Sequence, residues 1–149
     1  MTAGEYCNRE VIIVEPTVSV TEAAVLMRRH HVGDLVVVEK SGEVTRPVGI
    51  ITDRDIVIEV MAQKIAPDSL TVKDIMSTDP VSVTETTSLL DTLTLMIQRG
   101  VRRVLVVSYN GSLQGLRSAD DAIELIPEQI NDLSQLVNRE MTHEQKQHP

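Results

Sequence analysis

Residues 49–55 read Gly-Ile-Ile-Thr-Asp-Arg-Asp, a hydrophobic strand end that passes through a threonine into an acidic helix start. Residues 115–121 repeat the pattern 66 positions later as Gly-Leu-Arg-Ser-Ala-Asp-Asp. Each copy places a hydroxyl, and three residues later a carboxylate, at the N-terminus of a helix. There, unpaired N–H groups and the positive end of the helix dipole favour oxygen-rich, anionic ligands.

The same spacing is that of a capping box, which requires no ligand. Capping explains the hydroxyl and the acid, but it does not explain the preceding glycine and hydrophobic pair. We therefore expect a ligand site and keep the capping box as the alternative.

The segments before the first motif predict alternating strands and a helix. Residues 11–14 form a β-branched run that is typical of a strand, and residues 19–22 form a capping box that opens a helix. The apolar run at 35–39 predicts a strand buried on both faces. A turn at 41–43 joins it to a second strand at 47–51.

A helix beginning at Thr52 completes a β-α-β-β-α unit, and a short link follows it. The inward-facing apolar positions of this helix are Ile56, Val57, Val60 and Met61. Residues 66–68 break the chain, and a capping box at 71–74 predicts a one-turn helix at Ile75-Met76.

The unit then occurs a second time. Residues 12–38 align without a gap on residues 81–107, a shift of 69 positions, and both helix caps recur. The second hairpin turns at Asn110-Gly111 and is three residues shorter than the first. Repeats accept length changes at such hairpin tips.

Composition excludes several classes of partner. Tyr6 and Tyr109 are the only aromatic residues among 149, and the formal net charge is -8, so neither nucleic acid nor an anionic membrane is expected as a partner. Cys7 is the only cysteine, which excludes an internal disulfide and suits a reducing compartment. No apolar run has signal-peptide or bilayer-spanning length. We expect a soluble, cytoplasmic protein.

Two consecutive units joined by a Thr-Val-x-Asp-Ile-Met linker, each ending in Gly, two residues, Thr or Ser, two residues and Asp, resemble a tandem pair of cystathionine β-synthase (CBS) domains, a Bateman module. The resemblance covers about residues 8–126. It implies an α/β (α+β) fold in which the two repeats pack sheet against sheet with pseudo-two-fold symmetry and helices outside. The expected segments are a first CBS motif at 8–64, a linker at 65–78, a second CBS motif at 79–126, and a C-terminal amphipathic helix with a polar tail at 127–149.

The resemblance also implies a function. Such modules bind adenosine nucleotides in two clefts between the halves, form head-to-head or head-to-tail homodimers, and regulate rather than catalyse. AMP, ADP, ATP or an NAD-type dinucleotide is the expected ligand, with Mg²⁺ as its companion ion and no metal bound by the protein alone. No catalytic triad or glycine-rich phosphate loop occurs, so an enzyme is not expected. The alternative is a ligand-free protein for oligomerisation or for docking an unidentified protein partner.

The family's pattern assigns one ribose-binding carboxylate to each cleft, Asp55 to the first (the Asp55 cleft) and Asp121 to the second (the Asp121 cleft). An ionised carboxylate accepts the hydrogen bonds that a ribose diol donates. The remaining implied contacts are hydroxyl and phosphate contacts at Thr52, Arg54, Ser118 and Asp120, a wall of Val81, Val101, Arg102 and Arg103 opposite Asp55, and a wall of Ile12, Val32, Gly33 and Asp34 opposite Asp121. Because it holds three arginines, the Asp55 cleft is the better candidate for phosphates.

Two features remain open. Arg117 occupies a strand position where the family usually has an apolar residue, so either this strand end is exposed or Arg117 points to a ligand phosphate. An apolar stripe at Ile130, Leu133, Leu136, Val137 and Met141 indicates core packing, dimer packing or a partner-binding helix.

Overall fold

The computed structural model describes residues 2–119, 131–139, 142 and 146. Within these residues, two small sheets alternate with helices. The helices and strands are, in chain order, α1 (Ala3–Tyr6), β1 (Ile13–Val14), α2 (Val20–His30), β2 (Asp34–Ser41), β3 (Val44–Thr52), α3 (Asp53–Ile56, continued by a π-helical turn at Val57–Met61), a 3₁₀ turn at Pro67–Ser69, α4 (Val72–Ile75), β4 (Ser77–Thr78), β5 (Ser82–Thr84), α5 (Leu89–Arg99), β6 (Arg103–Val107), β7 (Leu113–Ser118) and α6, of which residues 131–139 are described.

The strand order repeats between the halves. The first sheet has the order β1-β2-β3-β4 and the second the order β5-β6-β7. In each, a short strand pairs parallel to the strand after the helix, which then pairs antiparallel to the next. The predicted β-α-β-β order is confirmed in both halves, whereas the last helix of the second unit lies outside the described residues.

The strands β2 and β6 are buried on both faces at residues 35–38 and 104–106, as their apolar runs predict, whereas Glu39 at the end of the run at 35–39 is exposed. Leu35 and Val37 pack toward the helices of the first half, and Val104 and Val106 pack in a corresponding cluster of the second. The alternate residues Val36 and Val38 meet Leu105 and Leu116 in a third cluster, which joins the two sheets. The sheets therefore lie against each other and the helices lie outside, as expected.

The two halves exchange their N-terminal segments. In α4, the Val72 N–H donates to the Val18 carbonyl of the first half at 2.8 Å, and in α1 the Ala3 N–H donates to the Thr87 carbonyl of the second half at 2.7 Å. Val72 and Ala3 are almost completely buried in the cores of the halves they cover. The two donors, Ala3 and Val72, are 69 positions apart, and so are the two acceptors, Val18 and Thr87. Residues 2–9 are therefore the counterpart of residues 71–78.

The exchange explains the motif glycines. A Cβ atom on Gly49 would lie 2.6 Å from Met76 Sδ and 2.7 Å from the Ser77 carbonyl oxygen, and one on Gly115 would lie 2.6 Å from Cys7 Sγ and 2.7 Å from the Asn8 carbonyl oxygen. All four distances are shorter than the contacts that real Cβ atoms make. The glycines therefore admit the crossing segments, and their recurrence is explained without a ligand.

Three local expectations differ from the structure. The linker helix spans Val72–Ile75 rather than Ile75-Met76. Val60 is buried as expected and Ile56 is half-buried, but Val57 and Met61 are exposed. The cause is the π-helical turn, in which the Ala62 N–H donates to the Val57 carbonyl, because the wider turn changes which side chains face the sheet.

The structure also corrects predictions for Arg117 and for the C-terminal stripe. Arg117 is only 3% exposed, so the prediction of an exposed strand end is wrong. Arg117 occupies the position that the buried Ile51 fills in the first half. In α6, Leu133, Leu136 and Val137 are more than half exposed, so core packing is wrong for these three. None of the described helices has the length and apolar character needed to cross a membrane.

Candidate functional site

The first motif forms a complete capping box. Thr52 Oγ1 accepts from the Asp55 N–H at 3.1 Å, and Asp55 Oδ2 accepts from the Thr52 N–H at 2.9 Å. The Asp53 N–H is also occupied, since it donates to the Gly33 carbonyl at 2.9 Å. The capping alternative is therefore real at this helix, and any ligand would bind in addition to it.

A cleft of about 300 Å³ opens beside this capping box, between the two halves. Its lining includes five residues predicted for the Asp55 cleft, which come from both halves: Thr52, Val81, Val101, Arg102 and Arg103. The other lining residues were not predicted: Ile50, Ser77, Thr78, Asp79 and Pro80. Ser77 and Thr78 belong to the segment that crosses from the second half, and Asp79 and Pro80 follow it directly, so the exchange contributes to one wall of the cleft.

The predicted residues Asp55 and Arg54 stand apart from that lining. Asp55 is half-buried with its carboxylate turned back to the helix start, and Arg54 is exposed. An ionised carboxylate has about four acceptor positions, of which the Thr52 N–H uses one. Asp55 therefore retains acceptor capacity next to a cleft-lining residue.

Charges of both signs surround the cleft. Arg102 and Arg103 line it, and so does the exposed Asp79, whose backbone has a φ of 51°. Arg103 Nε donates to Asp34 Oδ2 at 2.6 Å, with side chains 39% and 25% exposed. The Asp34 side chain, which was assigned to the Asp121 cleft, thus contacts an arginine of the Asp55 cleft.

Part of the cleft backbone is already hydrogen-bonded. The Val81 carbonyl accepts from the Leu105 N–H at 2.9 Å, and the Val101 N–H donates to the Met96 carbonyl at 3.0 Å. The other main-chain hydrogen-bonding groups of these two residues are the Val81 N–H and the Val101 carbonyl. A neighbouring groove of about 470 Å³ shares Asp79, Pro80 and Val81 with this cleft and extends to Arg99.

The Asp121 cleft is described only in part, because Asp120 and Asp121 lie outside the described residues. Its predicted wall repeats the contacts of the first: the Ile12 carbonyl accepts from the Val36 N–H, and the Val32 N–H donates to the Met27 carbonyl. Gly33 and Ser118 are half-buried. Across the described residues, no group of three or more His, Cys, Asp or Glu side chains could hold a metal ion.

Comparison with known proteins identifies the family. The CBS domain model matches the chain twice, at residues 3–62 and 72–128. The two matches begin at equivalent positions of the repeat, Ala3 and Val72, where α1 and α4 begin. The chain belongs to the CBS domain family, and its two repeats form a tandem pair.

Several known proteins are similar to this chain. An uncharacterized protein of Methanopyrus kandleri is 37% identical over 127 residues, which are 85% of this chain and 63% of that protein. A CBS domain protein of Pyrobaculum aerophilum, solved in complex with AMP, is 26% identical with a TM-score of 0.72 over 81% of this chain and 89% of that one. CBSX2, also solved with AMP, is 25% identical with a TM-score of 0.69 over 85% of this chain and 96% of that one. The predicted α/β fold of two packed CBS repeats is thereby confirmed.

Proposed function

We propose that the chain is a regulatory module that binds an adenosine nucleotide in the Asp55 cleft. The observation that carries the proposal is a cleft of about 300 Å³ that both halves line and that holds a threonine at a helix start and two arginines. Ligand pockets begin at about this volume. The complexes of two similar proteins with AMP support the choice of AMP, ADP, ATP or an NAD-type ligand.

Each part of the nucleotide has a partner in this proposal. The remaining acceptor positions of Asp55 take the ribose hydroxyls, while Arg102 and Arg103 bind phosphate through charge-assisted hydrogen bonds. The Val81 N–H and the Val101 carbonyl read the adenine edge. The bound nucleotide would then contact both repeats and the crossing segment at once.

Such a ligand would act by favouring one arrangement of the halves over another. A ligand shifts a conformational equilibrium only by its differential affinity for the two states. Since the cleft includes residues from both repeats, its shape depends on how they are placed. We propose that the module acts in the cytoplasm as a homodimer and transmits this change to a protein partner.

Thermal unfolding in the presence of AMP, ADP, ATP and NAD tests the proposal. A ligand at 100 times its dissociation constant adds about 2.7 kcal/mol to the free energy of unfolding. For a chain of this size we expect a rise in Tm of about 5–10 °C. The absence of a shift with all four compounds at millimolar concentration would exclude adenosine-nucleotide sensing.

Asp55→Ala and Asp74→Ala separate binding from capping. Asp74 Oδ2 accepts from the Thr71 N–H at 2.8 Å, so Asp74 caps α4 much as Asp55 caps α3. The two differ in their partners, because Thr52 lines the cleft and Thr71 does not. Each variant should lose about 1 kcal/mol of stability. Only Asp55→Ala should also lose affinity for AMP, by about tenfold or more, measured by calorimetry. Equal affinities would remove Asp55 from the proposed site.

A ligand-free oligomerisation or docking protein remains the second candidate. Specific observations favour it: the capping box is complete, and packing of the crossing segments accounts for the motif glycines. In addition, Leu90 and Ile97 on α5 are 71% and 81% exposed. In that case partner capture and oligomeric state, followed by pull-down and sedimentation, would be the same with and without nucleotide.

A further inference from the structure

One ion pair joins the two repeats next to the cleft. Asp34 begins β2 and Arg103 begins β6, at equivalent positions of the repeat. Arg103 Nε and Asp34 Oδ2 are 2.6 Å apart. The pair is therefore formed between symmetry-related positions, one from each half.

The strand register places this pair between the two helix starts. Asp34 lies opposite Thr52 on β3, and Arg103 lies opposite Ser118 on β7. Arg103 also lines the Asp55 cleft, as does Thr52. A phosphate that reaches Arg103 must therefore share its guanidinium with the Asp34 carboxylate, which already occupies Nε.

The remaining charge in the cleft strengthens this restriction. Arg102 and Arg103 are the cations among the described lining residues, and Asp79 lines the same cleft. The carboxylates of Asp34 and Asp79 face these two guanidinium groups, and the Asp55 carboxylate lies beside the cleft on Thr52. Each phosphate that a nucleotide carries beyond the first therefore adds negative charge to a site whose described residues hold no excess of cations, and it is repelled by the carboxylates that face the arginines.

We propose that Asp34 is a specificity-determining residue that limits the phosphate charge the Asp55 cleft accepts, so that the cleft prefers a nucleoside monophosphate to a di- or triphosphate. The inference rests on the proposed binding of adenosine nucleotides in this cleft. Asp34 acts on the ligand by holding Arg103 and by contributing its own charge.

Calorimetric titration of the full chain with AMP, ADP and ATP tests this preference. The unmodified protein should bind AMP most tightly, and Asp34→Asn should reduce the AMP-to-ATP affinity ratio by about tenfold, mainly by tightening ATP. Asp68→Asn is the matched control, because it removes the same charge from an exposed turn outside the cleft. It should leave the ratio unchanged.

A second measurement requires no variant. Because the preference is electrostatic, it should decrease when the salt concentration rises from about 0.05 to 0.5 M, as screening shortens the range of the repulsion. A ratio that Asp34→Asn does not change by more than about twofold, or tighter binding of ATP than of AMP at low salt, would overturn the role of Asp34 while leaving nucleotide binding intact. Failure of all three nucleotides to bind would instead overturn the proposed function and this inference with it.

Discussion

Replacing Gly49 with alanine tests the reciprocal exchange of N-terminal segments. The new methyl group would lie 2.6 Å from Met76 Sδ and 2.7 Å from the Ser77 carbonyl oxygen. The methionine side chain can rotate away, but the Ser77 carbonyl belongs to β4, which pairs with β3 at Gly49 and Ile50. The main chain of the crossing segment must therefore move.

Two opposing terms determine the size of the effect. Overpacking that forces a backbone shift costs about 1–3 kcal/mol. Alanine also restricts the unfolded chain more than glycine does, which offsets about 0.4–1 kcal/mol of this loss in the free energy of unfolding. We expect a net loss of about 1–2 kcal/mol in the free energy of unfolding, and a fall in Tm of about 3–8 °C.

Urea unfolding with two further glycine variants makes the comparison specific. Gly115→Ala should cost a similar amount, because its methyl group meets the Asn8 carbonyl at 2.7 Å. Gly33→Ala should be nearly neutral, because its closest neighbour is the end of the Asp53 side chain at 3.2 Å. Losses below about 0.5 kcal/mol for both Gly49→Ala and Gly115→Ala, or an equal loss for Gly33→Ala, would refute the packing explanation.

Two other predictions compare matched positions. His31 ends α2 in the left-handed conformation at a φ of 53°, and Gly100 ends α5 in the same conformation at 64°. In urea unfolding, His31→Gly should therefore raise the free energy of unfolding by about 1 kcal/mol, and Gly100→His should lower it by a similar amount. The reverse order would contradict the cap geometry. Leu105→Ala, in the core between the sheets, should lower the free energy of unfolding by about 2–5 kcal/mol. Ile97 is 81% exposed, so Ile97→Ala should lower it by less than about 0.5 kcal/mol, and equal losses would argue against this core.

The repeated units could be predicted because their signals are local. Ser19 and Ser88 each accept from the backbone N–H three residues later, as their sequences predict. The apolar run of β2 likewise predicts burial on both faces without any knowledge of its neighbours. Capping and strand patterning depend on residues close in the chain, so a single sequence contains what is needed.

The exchanged segment at residues 2–9 was missed because it has almost no apolar pattern of its own. Ala3 fills the position that Val72 fills in the linker, and its small side chain gives little signal. The repeat still contained the information, since Thr2-x-x-Glu5 aligns with Thr71-x-x-Asp74 at the same shift of 69.

The Asp34–Arg103 pair shows where sequence alone reaches its limit. The family pattern places the two residues in the walls of different clefts, whereas the structure brings them into contact. Their equivalence in the repeat was a usable signal, since equivalent positions near a pseudo-two-fold axis lie close to each other. Which equivalent positions lie near the axis depends on how the sheets pack, and that requires the structure.

The crossing segment at residues 71–78 links folding to the proposed binding site. Ser77 and Thr78 form β4 on the first sheet, and they also line the cleft together with Asp79 and Pro80. A ligand in the cleft would therefore stabilise the crossing segment, and a docked segment would complete the cleft. Gly49→Ala acts on this contact without touching the two arginines or Asp55. If the cleft binds nucleotide, this variant should weaken binding in proportion to how far it displaces the segment, whereas a ligand-free protein would lose stability alone.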